Sequence, residues 1–360
     1  MKKHASFISS SAQGIEEHFF TLEAPVTETF AEDLKILLEN YEQQLAQYGC
    51  TVEDEFLLRF HLSDPANQKS LLRAQLGERC SFVSVVGQTP VNSRIALESW
   101  CWKNWRQMKN YTPSWFQSST SKANSYDQMA AEFAELDEYI SGKGLSVELN
   151  TVRTWIYCKD VDNNYVGLVK ARNDYFATRG MTRETHFITS TGIEGQCGDP
   201  HRLVRMDSLS FSDLKREQIQ FLYALENLSP TAIYGVSFER GTRMIWGDRS
   251  QFYISGTASI DKEGNVLHIG DVRLQTRRML ENIRALLAEG GAELKDIKWG
   301  TLYLRDPHDA KIALEEIARA GISEELPLVV LQAPVCRPTW LVEMECIAVK
   351  SENNNFPILG

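Results

Sequence analysis

The sequence predicts an α+β chain made of three copies of one ββαβαββ unit, from an internal repeat and from strand and helix patterns that recur in the same order. The best preserved copy is the last. In it GGAELKDIKWGTLYLRDP (Gly290–Pro307) leads through VVLQAPV (Val329–Val335) to the strand-like LVEMECIAV (Leu341–Val349). In the first copy Gly49, Asp54, Leu62, Asp64 and Pro65 fall 242 positions before Gly291, Asp296, Leu304, Asp306 and Pro307. VVGQTPV (Val85–Val91) then repeats VVLQAPV, and Glu98 is aligned with Glu343. The middle copy is fainter: VRTWIYCKD (Val152–Asp160) aligns with KWGTLYLRD (Lys298–Asp306), and LVRMDSLSF (Leu203–Phe211) with LVEMECIAV. A repeated unit buries its apolar face against its neighbours, which puts candidate sites at the seams between units.

The elements follow in order. Helices are expected at Phe30–Gln47 and Asn67–Leu76 in the first unit, and at Tyr126–Ser141 and Tyr165–Arg179 in the second. Asp213–Ser229 reads as a linking helix. In the last unit Gln251–Ile260 alternates as a strand and KEGN supplies a turn. VLHIGDV (Val266–Val272) then enters a helix in which Leu274, Met279, Ile283, Leu286 and Leu287 recur at helical spacing, closed by Gly290 and Gly291. A strand at Ile297–Leu304, a helix at Ala310–Ala320 and strands at Leu328–Gln332 and Trp340–Val349 complete it. Ser121–Asp127 and the tail SENNNFPILG are the most loop-like stretches. The expected division is residues 1–105, 106–215, a linker at 216–235, 236–350 and a tail at 351–360.

Composition narrows the class. Of the 360 residues 43% are hydrophobic and 24% charged, as in ordinary globular proteins. No run approaches the roughly 18 apolar residues of a membrane span, and the start MKKHASFISSSAQG lacks the apolar core of a signal peptide, so a cytoplasmic location is the expectation. Seven cysteines without a CxxC pair (Cys50, Cys80, Cys101, Cys158, Cys197, Cys336, Cys346) fit reduced thiols. A net charge of −10 argues against nucleic acid as a partner, because such binding needs clustered Lys and Arg. Cys197 and His201 form a lone metal-like pair, so no metal is expected, and no glycine-rich phosphate loop occurs.

Several segments resemble a known superfamily. SGTASI, then GDVRLQTRRMLENIRALL with Gln275, Leu280 and Asn282, then GAELKDI and VEMECIAV look like the Rid (YjgF) group, homotrimers of one ββαβαββ unit with ligand sites between subunits. The resemblance implies that a chain with three such units is a pseudo-trimer, present as a monomer or a higher homo-oligomer. A further resemblance is to the chorismatases, carried by RTWIY (Arg153–Tyr157), Gly167 and Leu168 with the arginine-bearing helix of Arg172 and Arg179, STGIEG (Ser190–Gly195), YGVSFERGT (Tyr234–Thr242), HIGDV (His268–Val272) and LVEME. It spans about 200 residues from Arg153 onward, and it implies that the catalytic acid is Glu343. FERGTRMIWGD is shorter than the corresponding chorismatase stretch, and the first unit matches poorly.

The residues make chemical sense of this. Glu343 and Glu345 lie two apart on a strand and point to one face, where two partly desolvated carboxylates raise each other's pKa, so that one can act as a general acid. An enolpyruvyl ether needs such an acid to protonate its methylene carbon. Arginines bind the carboxylates of such a substrate bidentately, and Arg153, Arg172, Arg179 and Arg240 lie in the matched stretches. Arg153 and Tyr157 share a strand face, which reads as a ligand surface or as side chains lying over a unit edge. Arg172 and Arg179 can equally be solvated helix arginines. Thr191 and Gly192 in STGIEG could cradle a carboxylate or simply form a turn, and Gly256 within a strand marks close approach of a ligand or of another chain segment. Arg337 could reach a carboxylate from the turn before the glutamate strand, and Glu345 completes the substrate-binding set. His268 is read as structural. Because the copies differ at Glu343 and Glu345, one seam is expected to be competent and the other two filled.

The leading expectation is a chorismatase-like hydrolase or lyase that takes a small-molecule carboxylate and needs no metal or organic cofactor. A Rid-type enamine or imine hydrolase and a non-catalytic small-molecule binder are the alternatives. Ribonuclease activity, attached to the endoribonuclease L-PSP-like name of this group, ranks last, for want of a histidine pair or a basic stripe.

Overall fold

The computed structural model describes residues 2–8, 14–79, 81–119 and 122–360; Cys80 and Ser121 lie outside them. The chain forms β1 (Lys2–Ile8), β2 (Glu16–Glu23), α1 (Phe30–Gln47), β3 (Glu55–Leu62), α2 (Pro65–Leu76), β4 (Phe82–Gly87), the two-residue β5 (Thr89–Pro90) and β6 (Ile95–Lys103). It continues with β7 (Pro113–Gln117), α3 (Ser125–Ser141), the short α4 (Val147–Asn150), β8 (Thr151–Cys158), α5 (Val161–Thr178), β9 (Thr189–Glu194), β10 (Val204–Phe211) and β11 (Ile219–Leu222). The last stretch holds β12 (Gly241–Ile245), β13 (Arg249–Ala258), α6 (Val272–Glu289), β14 (Ile297–Leu304), α7 (Ala310–Arg319), β15 (Leu328–Gln332) and β16 (Val342–Ser351).

Three sheets result, ordered β1-β2-β6-β3-β4, β7-β10-β8-β9 and β11-β12-β13-β16-β14-β15-β5. In the first and third the final strand of the unit is inserted between its second and third, so the two share one topology. Even the bulges recur at matching places, between Glu55 and Leu57 and between Ile297 and Trp299. The repeated Asp-Pro explains itself locally. Asp64 and Asp306 accept hydrogen bonds from Asn67 and His308 N–H, capping helical turns in which Pro65 and Pro307 need no donor. Helix α6 likewise starts at the Asp271 cap and buries Met279, Ile283, Leu286 and Leu287 along one stripe.

Three sequence expectations are corrected. The middle unit has a single strand, β7, before its first helix, so it is βαβαββ, one strand short. The stretch expected as a linking helix forms a 3₁₀ turn at Arg216–Gln218 followed by β11, which extends the third sheet beside β12; Tyr223 and Ala224 N–H then bind the Glu289 carboxylate instead of continuing a helix. The third correction concerns register. Arg59 stands opposite Glu98, and Thr301, 242 positions after Arg59, stands opposite Glu345. Glu98 therefore matches Glu345 and not Glu343. In the middle sheet Trp155 stands opposite Asp207 and Tyr157 opposite Arg205. The position of Glu343, opposite Tyr303, is thus held by Ala96, opposite His61, in the first sheet and by Arg205 in the second.

The strands β3, β8 and β14 are buried on both faces, apart from Lys298. One face packs on the unit's own helices: Leu58, Phe60 and Leu62 with α1, and Ile156 and Cys158 with α3 and α5. The other faces contribute to one shared core, where Phe56, Trp100 and Trp102 meet Trp155, Tyr157, Trp299 and Tyr303. At its centre Arg59, 1% exposed, stacks on Trp155 and Trp299 at 4.6 and 5.5 Å and pairs with Glu98 at 3.4 Å and Glu345 at 3.8 Å. Burial opposes the charge on Glu98, but His61 and Arg59 hold its pKa below the ordinary carboxylate value. The edge of the third sheet is closed by β5, as Thr89 and Pro90 pair with Gln332 and Leu331. The tail is tied down too, with Ile15 N–H donating to the Leu359 carbonyl at 2.9 Å. Replacing Arg59 by Met should destabilise the protein by about 3–5 kcal/mol, because Glu98 and Glu345 lose a buried partner; denaturant unfolding checks this, and a loss below about 1 kcal/mol would contradict it.

Candidate active site

Where β9 and α5 of the second sheet meet β13 and β16 of the third lies a narrow cleft of about 40 Å³. Its floor is Glu343 on β16, with Gly256 and Ala258 on β13. Ser190, Thr191 and Gly192 on β9 and Tyr165 and Arg172 on α5 form one wall, and Val236, Phe238, Arg240, Cys336, Arg337 and Trp340 come from loops.

Glu343 is 5% exposed, and its pKa is pushed up to about 8, first by burial and then by the charge of Glu345, against the opposing pull of Arg240 and Arg153. Gly256 makes room for it: a Cβ there would overlap the Glu343 carboxylate, 2.8 Å from Cδ and 3.0 Å from Thr191 Cγ2. The close approach that a strand glycine marks is therefore that of the acid side chain itself.

Cationic groups surround the acid. Arg172 and Tyr165 are seven residues apart on α5 and so share a helix face. Arg172 is 1% exposed, and its Nε and Nη2 are buried without a hydrogen-bond partner. Arg240 donates to the Ser229 carbonyl at 3.1 and 3.3 Å. Both guanidinium groups lie against the Phe238 ring, at 5.8 and 5.4 Å from its centre. Arg337 stacks on Trp340 at 4.9 Å.

The structure brings Glu343, Arg172, Thr191, Gly192, Arg240, Gly256 and Arg337 together around this cleft. It places the other candidate residues elsewhere. Arg153 points to the shared core, where it binds Glu345 and Thr191 and stacks on Trp155 at 5.0 Å. Tyr157 is buried there under Arg205, 4.8 Å away. Glu345 accepts hydrogen bonds from Arg153, Thr191, Trp155 Nε1 at 3.1 Å and Tyr303 Oη at 3.0 Å. It is a positioning group: Thr191, which it holds, in turn accepts the Gly256 N–H at 2.9 Å. Arg179 caps α5 and pairs with Asp137, and with Glu148 at 3.7 Å, away from the cleft. The Cys197 and His201 carbonyls accept hydrogen bonds from Lys69 and Gln128. Among the described residues no group of three or more His, Cys, Asp or Glu is placed to hold a metal ion, and no helix is long and apolar enough to cross a membrane. Sequence reasoning missed Tyr165, Phe238, Cys336 and Trp340. Phe238 stands inside the YGVSFERGT stretch, and Tyr165 lies one heptad before Arg172, so both were within reach of the pattern.

The seams are not filled as expected. Clefts of about 510 and 810 Å³ lie against α2 with β4 and against α7 with β15, the counterparts of α5 with β9. The position of Glu343 carries Arg205 at the first of these seams.

Residues 244–350 match the endoribonuclease L-PSP family. A 3-aminoacrylate deaminase RutC of Acinetobacter baylyi is 33% identical over 97 residues, 27% of this chain and 76% of that protein. The chain belongs to the Rid (YjgF) superfamily. A RutC family protein of Pyrococcus abyssi is 37% identical over 100 residues, 27% of this chain and 77% of the relative. Over nearly the whole length the Rid chain superposes on a crystal structure of a chorismatase with a TM-score of 0.68, covering 95% of this chain and 99% of the other at 16% identity. At that identity the likeness is one of fold.

Glu343 is neutral in the folded protein where an ordinary carboxyl is already ionised, so the folded state holds one more proton than the unfolded chain between about pH 4.5 and about pH 8. Stability contributed by this group is lost as pH rises through that window. Thermal unfolding of wild type and Glu343→Gln should show the wild-type Tm falling more steeply between pH 5 and pH 8; parallel curves would contradict a raised pKa.

Proposed function

We propose that the three sheets form a pseudo-trimer divided at residues 1–105, 106–215, 236–350, with a connector at 216–235 and a tail at 351–360, and that its one acid-bearing seam is a chorismatase-like active site. The observation that carries this reading is the buried, cleft-facing Glu343 with a pKa near 8, ringed by Arg172, Arg240 and Arg337. A carboxyl that stays protonated at neutral pH can deliver a proton to carbon, and arginines at separate points of a cleft suit a substrate with two carboxylates. The unpartnered nitrogens of Arg172 favour a ligand with anionic oxygens, since a buried guanidinium without partners is costly.

In the proposed reaction Glu343 protonates the methylene carbon of the enolpyruvyl ether of chorismate, leaving an oxocarbenium ion and the Glu343 carboxylate. Attack by water on the cationic carbon, with its proton passing back to the Glu343 carboxylate, gives a hemiketal, which collapses to pyruvate and a dihydroxycyclohexadiene carboxylate. Attack by a substrate hydroxyl leads instead to a hydroxybenzoate and pyruvate, with no net water consumed. The neighbouring arginines favour the reprotonation-ready carboxylate only weakly, because burial and Glu345 work against them. The related deaminase, by its name, acts on 3-aminoacrylate. An enamine is also protonated at an electron-rich carbon, so a Rid-type imine or enamine hydrolase is the second reading for the same acid.

Glu343→Gln should lower pyruvate release from chorismate by at least about 100-fold while substrate binding persists, because the amide keeps the shape and cannot give up a proton. Arg172→Ala should instead raise KM by about tenfold or more. Wild-type rates in Glu343→Gln would sink the assignment of the acid, and wild-type protein inert towards chorismate but active on an imine panel would transfer it to the second reading. Activity should fall as pH rises through about 8, as the protonated acid is lost. Glu345→Gln removes a charge that raises this pKa, so the falling limb should move to lower pH; a limb that stays in place would free Glu345 of that role.

A further inference from the structure

The seam between the first and second sheets carries a cleft with the charge of the acid position reversed. Its place follows from the registers. Arg205 stands opposite Tyr157 on β8 as Glu343 stands opposite Tyr303 on β14, and α2 and β4 form the wall that α5 and β9 form at the other seam. Lys69, Arg73, Glu78, Arg79, Gln117 and Arg205 line it.

Arg205 is a built anchor rather than a surface charge. It is 4% exposed, stacks on Tyr157, and donates to the Val85 carbonyl, to Ser84 Oγ at 2.7 Å and to Asp207 at 3.1 Å. Its Nε remains buried without a hydrogen-bond partner. Arg79 is engaged by Glu55. Two cations then face the cleft with their donors largely unspent. Lys69 gives one hydrogen bond, to the Cys197 carbonyl at 3.1 Å, and Arg73, on the exposed side of α2, pairs with no carboxylate among the described residues. Glu78 is the one acidic group among the described lining residues. The Lys69 ammonium is held below its ordinary pKa by burial and then by Arg73 and Arg205, with a further contribution from Arg202. Like charges gathered around a partly desolvated pocket repel one another, and an anion with several oxygens relieves that repulsion and meets the unused donors at once.

We propose that this seam binds a small, multiply charged oxyanion, a phosphate or a di- or tricarboxylate, with Lys69 and Arg73 as direct contacts and Arg205 as the buried anchor. The site is separate from the Glu343 cleft and does not depend on what that cleft catalyses. The test is isothermal titration calorimetry on the full chain at fixed ionic strength, with inorganic phosphate and citrate as probes and chloride as the reference salt. Saturable binding of at least one probe is expected, weakened about tenfold or more in Lys69→Ala/Arg73→Ala and unchanged in Arg172→Ala, which alters only the other cleft. The probe that saturates tells phosphate from carboxylate. Both Lys69 and Arg73 are partly or fully exposed, so the double variant should keep the wild-type Tm and the loss can be read as binding. Heats from phosphate and citrate that do not saturate and match those from chloride would overturn the proposal, as would binding abolished by Arg172→Ala and kept by Lys69→Ala/Arg73→Ala.

Discussion

A buried guanidinium holds the middle of this molecule together. Arg59 belongs to the first sheet, its stacking partners Trp155 and Trp299 belong to the second and third, and its carboxylates Glu98 and Glu345 to the first and third. Desolvating an arginine in this way is unfavourable unless all its neighbours are in place. A missing partner from any sheet therefore penalises the whole centre, which couples the three sheets into one cooperative body. The remaining polar side chains are arranged around that demand: Thr301 donates to Glu98 at 2.7 Å, His61 contacts it at 2.8 Å, and Arg153 and Tyr303 engage Glu345.

The same network defines the acid by contrast. Glu343 and Glu345 are neighbours on one face of β16, yet one receives four hydrogen-bond donors from the core and the other looks into a cleft. The charge stabilised on Glu345 makes the second charge two residues away harder to form. Thr191 connects the two environments, since it contacts Glu345 on one side and the backbone of Gly256 on the other. The proposed general acid is thus tuned by a group that faces the core and not the cleft.

Much of this was legible in one sequence because the repeat pins the elements. Helix α1 and strands β14 and β15 fall where the periodicity puts them, and the Asp-Pro caps recur. The misses have physical causes. The stretch from Arg59 to Glu98 is five residues shorter than the stretch from Thr301 to Glu345, since 242 positions separate Arg59 from Thr301 but 247 separate Glu98 from Glu345, and that length difference hides which glutamate Glu98 matches. The apolar positions of Asp213–Ser229 suit a helix, but the open edge of β12 offers backbone hydrogen bonds that only a strand can take. Period-two alternation tells which side chains share a face and not which part of that face is the axis and which the cleft. Arg153, Tyr157 and Glu345 went to the axis for that reason, while Arg172 and Glu343 reached the cleft.

The short pairing of Thr89 and Pro90 with β15 has a consequence for how the protein comes into being. Thr89 and Pro90 complete a sheet whose other strands, from Ile219 to Ser351, are translated after them, and Arg59 waits for Trp299 and Glu345 in the same way. Contacts of such long sequence separation form late, because the loop between them must be closed before they return any stabilisation. During synthesis the first sheet emerges with its arginine and its aromatic face unsatisfied, and it stays so until Trp299 and Glu345 have been made. The centre of the molecule is thus completed at a time set by the pace of translation.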